Sequence, residues 1–229
     1  MTHDAATTEP STEGDSLTGV VADWSADKQV FPVPWGKAMM WIFLVSDTFI
    51  FTCFLTGYMN VRMSTTATWP NPSKVFGLNV GGHDVPLLLI AIMTMVLITS
   101  SGTMAMAVNY GYRRNRARTT ALMLATAALG AAFVGMQAFE WTKLIVHEGV
   151  RPWGNPMGAA QFGSSFFMIT GFHGLHVSAG VIYLSVVARR VWTGFYDRKG
   201  SYETVEVTGL YWHFVDLVWV FIFAFFYLW

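Results

Sequence analysis

The sequence predicts an all-α membrane protein, a bundle of five transmembrane helices with the N-terminus cytoplasmic and the C-terminus on the outer (periplasmic) side. Three observations carry that expectation. Charged residues are only 12% of the 229, against 53% hydrophobic and 16% aromatic, where a soluble domain carries about a quarter charged. Five runs are long and apolar enough to cross about 30 Å of hydrocarbon at 1.5 Å per residue. Lys and Arg collect in alternate loops, as they do on the cytoplasmic side of membranes. The mean hydropathy of +0.42 agrees. Zero formal net charge argues against a nucleic-acid partner, and the lone Cys53 leaves no disulfide framework or thiolate metal cluster within the chain.

Residues 1–30 differ in kind. They hold Asp4, Glu9, Glu13, Asp15, Asp23 and Asp27 against a single Lys28, among many Thr, Ser and Ala. No basic n-region precedes an apolar core, so no cleaved signal peptide is read there. Such a composition cannot bury enough surface to offset its ordering entropy. The expectation is a flexible acidic tail ahead of a membrane domain over residues 31–229.

The first span is expected over about 35–60 and contains one charge, Asp47. The second, about 85–112, has none. The third, about 119–142, has none until Glu140. The fourth, about 161–188, carries His173 and His176, and the fifth, about 207–229, carries His213 and Asp216. With the N-terminus inside, the inner side holds ten Lys and Arg and the outer side four. That bias sets the orientation. The turn Arg113-Arg114-Asn115-Arg116-Ala117-Arg118 is basic enough to touch anionic headgroups. Trp35, Trp69, Trp141, Trp153, Trp192 and Trp229 fall near expected interfaces, where amphipathic rings settle.

Packing is foreshadowed by residue size. Gly130, Ala131 and Gly135 in the third span, and Ser100, Ser101 and Gly102 in the second, permit close helix approach. The fifth span, with Phe214, Trp219, Phe221, Phe223, Phe225, Phe226 and Tyr227, is bulky all round. It is expected to face lipid or another subunit over most of its girth.

The polar residues inside the spans are the candidate site. An ionised Asp47 would cost roughly 2.5–3.5 kcal/mol on insertion scales, so it must be neutral, paired or near water. Its role is either a proton-exchanging or ligand-contacting site, or a hydrogen bond to a neighbouring helix. Glu140, beside Trp141, is expected to snorkel to the interface, unless Gln137 one turn back extends a polar stripe inward. His173 and His176 share a helix face at a spacing of three, as do His213 and Asp216. His-x-x-His and His-x-x-Asp on neighbouring helices are a possible N/O ligand set for iron, copper or zinc. The Glu-x-x-His pairs of carboxylate-bridged di-iron bundles are absent, and three intramembrane histidines fall short of a redox centre. No metal is assigned to the chain.

Three segments now become recognisable in order. The run from Ser164 to Val177, containing Gly171-Phe172-His173-Gly174-Leu175-His176, closely resembles the signature of cytochrome c oxidase subunit III. So does Tyr211-Trp212-His213-Phe214-Val215-Asp216-Leu217-Val218-Trp219. Gln137-Ala138-Phe139-Glu140-Trp141 is similar to that family's Gln-Ala-x-Glu-Tyr segment. The resemblance covers about residues 35–229 and departs from the family in three places. Full-length members have seven spans, and this chain resembles the last five, as short bacterial forms do. Ser46-Asp47 stands where the mitochondrial-type pattern has Ser-Glu, the carbodiimide-reactive carboxyl. Asn109 falls near a family His.

The resemblance implies a non-catalytic subunit of a haem-copper terminal oxidase, with electron transfer to O2 coupled to proton pumping in the bacterial inner membrane. Haem and copper are then expected in partner subunits, with no cofactor in this chain beyond bound phospholipids. It implies direct docking on subunit I, with subunit II and further oxidase subunits in the complex. It also implies stabilisation of subunit I, support of proton uptake and retention of phospholipids in a cleft. By carry-over, Asp47 with His173 or His176 forms a buried hydrogen-bonded cluster of the carbodiimide type. Glu140, Trp212, His213 and Asp216 then shape the bundle or its lipid cleft. The electron donor, cytochrome c or quinol, stays open. The alternatives are an accessory protein of nitric oxide reductases and, less compatible with the lack of repeat symmetry, a stand-alone proton-linked transporter.

Overall fold

A computed structural model of the chain describes residues 33–71, 75–80, 83–85 and 87–228. The acidic segment 1–30 and Trp229 lie outside the described residues. The elements are α1 (Trp35–Ser64), β1 (Leu78–Val80), β2 (His83–Val85), α2 (Leu88–Tyr112), α3 (Arg116–Val146), α4 (Ala160–Trp192), α5 (Phe195–Lys199) and α6 (Glu203–Phe223). A π-helical turn, Ala224–Leu228, extends α6. Five helices, α1, α2, α3, α4 and α6 with its extension, are long and apolar enough to span a membrane. The fold class is the all-α bundle the sequence predicts. The strands form one short antiparallel hairpin in the α1–α2 connection, outside the spans.

Local chemistry sets the helix ends. Between α2 and α3, Arg114 takes a left-handed φ of 54° and the Asn115 side chain accepts from the Arg118 backbone N–H at 3.2 Å. An N-cap of that kind opens a helix sharply, so the basic turn of the sequence becomes a tight helix hairpin. Gly194 at φ 72° ends α4, and Gly200 at φ 76° ends α5. Both are left-handed positions that glycine fills without a Cβ penalty. Helices begin and end within about four residues of the expected spans, with α4 running to Trp192 and α6 starting at Glu203.

Packing corrects one expectation. The last helix, read from its bulk as facing lipid or another subunit, lies at the centre. Half of its most apolar stretch is buried, against 22% for α1. It touches α1, α2 and α4. The reason is that its bulk is matched by absence elsewhere. The Trp212 indole occupies a slot whose floors are Gly130 on α3 and Gly180 on α4. A methyl group at Gly180 would lie 2.9 Å from Trp212 Cζ3, and one at Gly130 would collide with the same ring. Trp212 Nε1 then donates to Ser100 Oγ on α2 at 2.9 Å. One fully buried side chain ties four helices together. The small residues and the large ones, which sequence periodicity shows separately, are complementary halves of one contact.

The two ends of the bundle are closed differently. At the end holding the α2–α3 turn and α5, closure is by charge: Lys37 on α1 pairs with Glu206 on α6, and Arg116 with Asp197. At the opposite end it is mostly aromatic. Phe76, from the connection, packs on Phe162, Phe166 and Tyr227, with ring centroids 6.2, 5.3 and 4.4 Å away. Of the tryptophans expected at interfaces, Trp35, Trp153 and Trp192 are exposed. Trp69 and Trp141 instead pack inward, Trp69 edge-on to Phe162 and Trp141 against Phe167.

Candidate functional site

Several polar residues of the spans meet a partner on a neighbouring helix, and the partner chemistry differs from one to the next. Asp47 on α1 is 3% exposed and its Oδ1 lies 3.4 Å from His176 Nε2 on α4. The other nitrogen of His176, Nδ1, bonds the Phe172 carbonyl of its own helix at 2.8 Å, and that bond makes Nδ1 the protonated nitrogen of the ring. The His176 carbonyl accepts from Tyr211 Oη of α6 at 2.9 Å. Three helices therefore converge on one histidine. Asp47 Oδ2 has no hydrogen-bond partner.

His173 is not part of that pair. It is 1% exposed, stacked on Trp219 at 5.5 Å and met edge-on by Phe133 at 5.9 Å, and neither ring nitrogen has a hydrogen-bond partner among the described residues. The two histidines share only the Phe51 ring, edge-on to both. A spacing of three puts them on one face, but they sit about 60° apart around the axis at 3.6 residues per turn. That offset is enough to aim one at α1 and the other into the aromatic core.

Between α2 and α6, His213 Nδ1 lies 2.5 Å from Ser101 Oγ, and the Asp216 carboxylate faces the same serine. Asp216 is 8% exposed with neither oxygen in hydrogen-bond geometry. The serines that the sequence offered as small packing residues are thus also the polar partners of α6. Ser100 serves Trp212, and Ser101 serves His213. Trp212, expected as a bundle or lipid-cleft residue, belongs to the bundle.

Glu140 differs from its expected position. It does not snorkel; it is 3% exposed and its Oε2 accepts from Gln137 Nε2 at 2.9 Å and from Tyr227 Oη at 3.1 Å. The polar stripe suggested by Gln137 is the arrangement found. Tyr227 could not be foreseen as its partner, because 87 residues separate them. The only signal was a tyrosine among phenylalanines.

At the charged end, outside the spans, Asp197 accepts from Tyr202 Oη at 2.5 Å and from Arg116 Nε at 3.0 Å. The Tyr202 hydroxyl, then Arg116 and Arg114, hold the Asp197 carboxyl below its ordinary value, against a smaller opposing effect of burial. Burial first, and then the Asp197 carboxylate, push Tyr202 up to about 12.

Among the described residues no three His, Cys, Asp or Glu side chains gather where a metal ion could bind. The contacts Asp47–His176, Ser101–His213 and Tyr227–Glu140 each link two helices, and several of the polar groups are only partly satisfied among the described residues. A groove of about 280 Å³ between α1 and α6, walled by Phe51, Leu55, Phe214, Leu217 and Phe221, opens beside the Asp47 region and is almost wholly apolar.

With that geometry established, similarity to known proteins becomes informative. A family model described as Cytochrome c oxidase subunit III matches residues 28–229. The chain is 32% identical over 188 residues to the cytochrome bo(3) ubiquinol oxidase subunit 3 of Pseudomonas aeruginosa, covering 82% of each chain. It is 33% identical over 193 residues to the cytochrome c oxidase subunit 3 of Alkalihalophilus pseudofirmus, covering 82% of this chain and 84% of that one. A fungal relative, cytochrome c oxidase subunit 3 of Rhizopus stolonifer, is 34% identical over 82% of this chain but only 62% of its own length. The bacterial relatives thus match over most of their length, and the fungal one carries sequence beyond the matched part. Five apolar spans, the matched polar segments and these similarities lead to one conclusion: the chain belongs to the cytochrome c oxidase subunit III family.

Proposed function

We propose that this chain is the non-catalytic subunit III of a haem-copper terminal oxidase in a bacterial inner membrane. In this reading it docks on subunit I, within a complex that also holds subunit II, and the haem and copper reside in those partners. The observation that carries the reading is the family match over nearly the whole membrane domain. The site geometry supports it, because the buried polar groups engage neighbouring helices in pairs. That is the chemistry of a scaffold. The bundle's charged end is placed on the cytoplasmic side by the ten-to-four bias of Lys and Arg.

The scaffold has two working parts in this proposal. The α1 helix, the least covered by its own chain, presents Ile42, Val45 and Phe49, each more than 60% exposed, as the apolar face for subunit I or lipid. The apolar groove between α1 and α6 accommodates phospholipid acyl chains. The Asp47–His176 pair fixes α1 in register for both, and stability of α1 supports proton uptake by keeping the partner subunit's entrance intact.

The test is purification of the chain from its native membranes in mild detergent, with a reduced-minus-oxidised visible spectrum of what accompanies it. The expected result is a large multi-span partner with an a-type or o-type haem signal. Haem b and c signals with nitric oxide reductase subunits would replace this reading by the accessory-protein relative. A colourless chain purified alone would end it.

A further inference from the structure

The charged end of the bundle is unbalanced. It holds nine cations (Lys37, Arg113, Arg114, Arg116, Arg118, Arg189, Arg190, Arg198 and Lys199) against three carboxylates, Asp197, Glu203 and Glu206. Two of the cations are engaged in the ion pairs Lys37–Glu206 and Arg116–Asp197. Arg113, Arg118, Arg189, Arg190, Arg198 and Lys199 are exposed and make no salt bridge among the described residues. At the same end, beside the point where the chain enters α1, lies a cavity of about 610 Å³. Its walls are Trp35, Met39, Phe43, Tyr183 and Val207, with Lys199 and Glu203 both at its polar edge. Trp35 and Met39 are more than half exposed.

The residues that precede α1 have the opposite character. Residues 1–32 carry six carboxylates and one lysine. Within them, Val20-Val21-Ala22-Asp23-Trp24-Ser25-Ala26-Asp27 combines apolar and aromatic side chains with two acids, which suits a cavity with apolar walls at an end of the bundle with an excess of cations. We propose that this N-terminal segment docks across the charged end of its own bundle. The 20–27 stretch covers the cavity beside Trp35, and the carboxylates lie among the exposed cations of this end, Lys199 at the cavity and Arg189 and Arg190 at the end of α4.

Reach and concentration favour this occupant. Ten extended residues cover roughly 33 Å, wider than three helices packed at about 10 Å. A segment joined to the bundle at Val33 meets these cations at an effective concentration on the order of millimolar. A free anion in solution has no such advantage. Docking would also cover the aromatic and thioether surface of Trp35 and Met39, which the bundle itself leaves exposed. The proposal is independent of which oxidase the chain serves.

The test couples carboxylates to lysine amines at zero length with a water-soluble carbodiimide, in the full chain within its complex and in phosphatidylcholine nanodiscs, followed by peptide mapping. The expected links join Asp15, Asp23 or Asp27 to Lys199 and none of them to Lys143, which lies at the opposite end. Their yield should fall several-fold between about 0.05 M and 1 M salt as screening shortens. Arg189→Gln with Arg190→Gln keeps the Lys199 amine but should lower the yield and speed proteolysis within residues 1–32 about fivefold, the sum of two or three weak surface pairs. Absence of links to Lys199 in phosphatidylcholine would overturn the proposal, as would links to another subunit's lysines in its place. So would loss of the links when phosphatidylglycerol replaces phosphatidylcholine at the same ionic strength, since headgroups would then own the surface.

Discussion

Asp47 on α1 and His176 on α4 face each other with Oδ1 and Nε2 3.4 Å apart, and His176 is simultaneously bonded through its backbone carbonyl to Tyr211 on α6. The most weakly covered helix is thus fastened to the two that bury it by one polar junction. Breaking the junction from either side should loosen α1 first.

A double-mutant cycle tests this. His176→Leu leaves Asp47 buried without its partner and should lower stability in detergent by about 1–3 kcal/mol. Asp47→Asn keeps shape and hydrogen-bonding capacity and should cost less. The pair together should cost less than the sum, because residues in contact are not additive. Strict additivity in thermal melts would mean that the two side chains do not interact.

The slot for Trp212 makes a steric prediction. Gly130→Ala places a methyl group against the Trp212 ring and 2.8 Å from Val181 Cγ2. Overpacking of this kind should cost about 1–3 kcal/mol. Gly135→Ala on the same helix meets nothing within 4 Å and should leave the melting temperature unchanged or slightly raised. Equal melting temperatures for the two variants would show that Trp212 is free to move aside.

Tyr227→Phe removes one of the two donors to Glu140 Oε2 while keeping the ring that packs on Phe76 and Phe166. Loss of a bond to a buried carboxyl should destabilise by about 1–3 kcal/mol. Gln137→Leu removes the other donor, and the double variant should be worse than either single one. If Tyr227→Phe melts like the parent chain, Glu140 is held by something other than these two groups.

The charged end should be pH-dependent in one direction. Asp197 is held below its ordinary value of 3.8, so its bonds stabilise the folded chain above that pH and are lost as pH falls through the lower folded value. Asp197→Asn should therefore melt below the parent at pH 7, and the difference should shrink as pH falls below 3.8 through the lower folded value. Tyr202, raised to about 12 from 10.0, contributes the other limit. Its share of stability is present below pH 10.0 and is lost as pH rises toward about 12. A parent-to-variant gap that does not shrink as pH falls below 3.8 would remove the ionised carboxylate from the account.

Much of the fold was legible because each part of it is a local property. The run from Arg113 to Arg118 could be read as a basic turn between two spans, and Asp47, alone in an uncharged span, as a group that must be neutral, paired or near water. His213 with Asp216 and Glu140 with Gln137 could be read as faces, since a helix fixes which residues share one. What could not be read was the identity of the partner. Ser101 for His213, Tyr227 for Glu140, and the separation of His173 from His176 depend on how neighbouring helices are rotated. No local propensity encodes that rotation.

The sequence by itself determined the number of spans, their approximate limits and the charge asymmetry of the two ends, because these follow from transfer free energies summed along the chain. The subunit III resemblance was legible there too, carried by short runs such as Phe172-His173-Gly174-Leu175-His176. The tertiary structure alone decided which helix is central. The aromatic α6 has nowhere to place Trp212 except the space left by Gly130 and Gly180, 82 and 32 residues away in sequence. Such complementarity of volume is a property of two surfaces in contact, and it exists only once the helices have met.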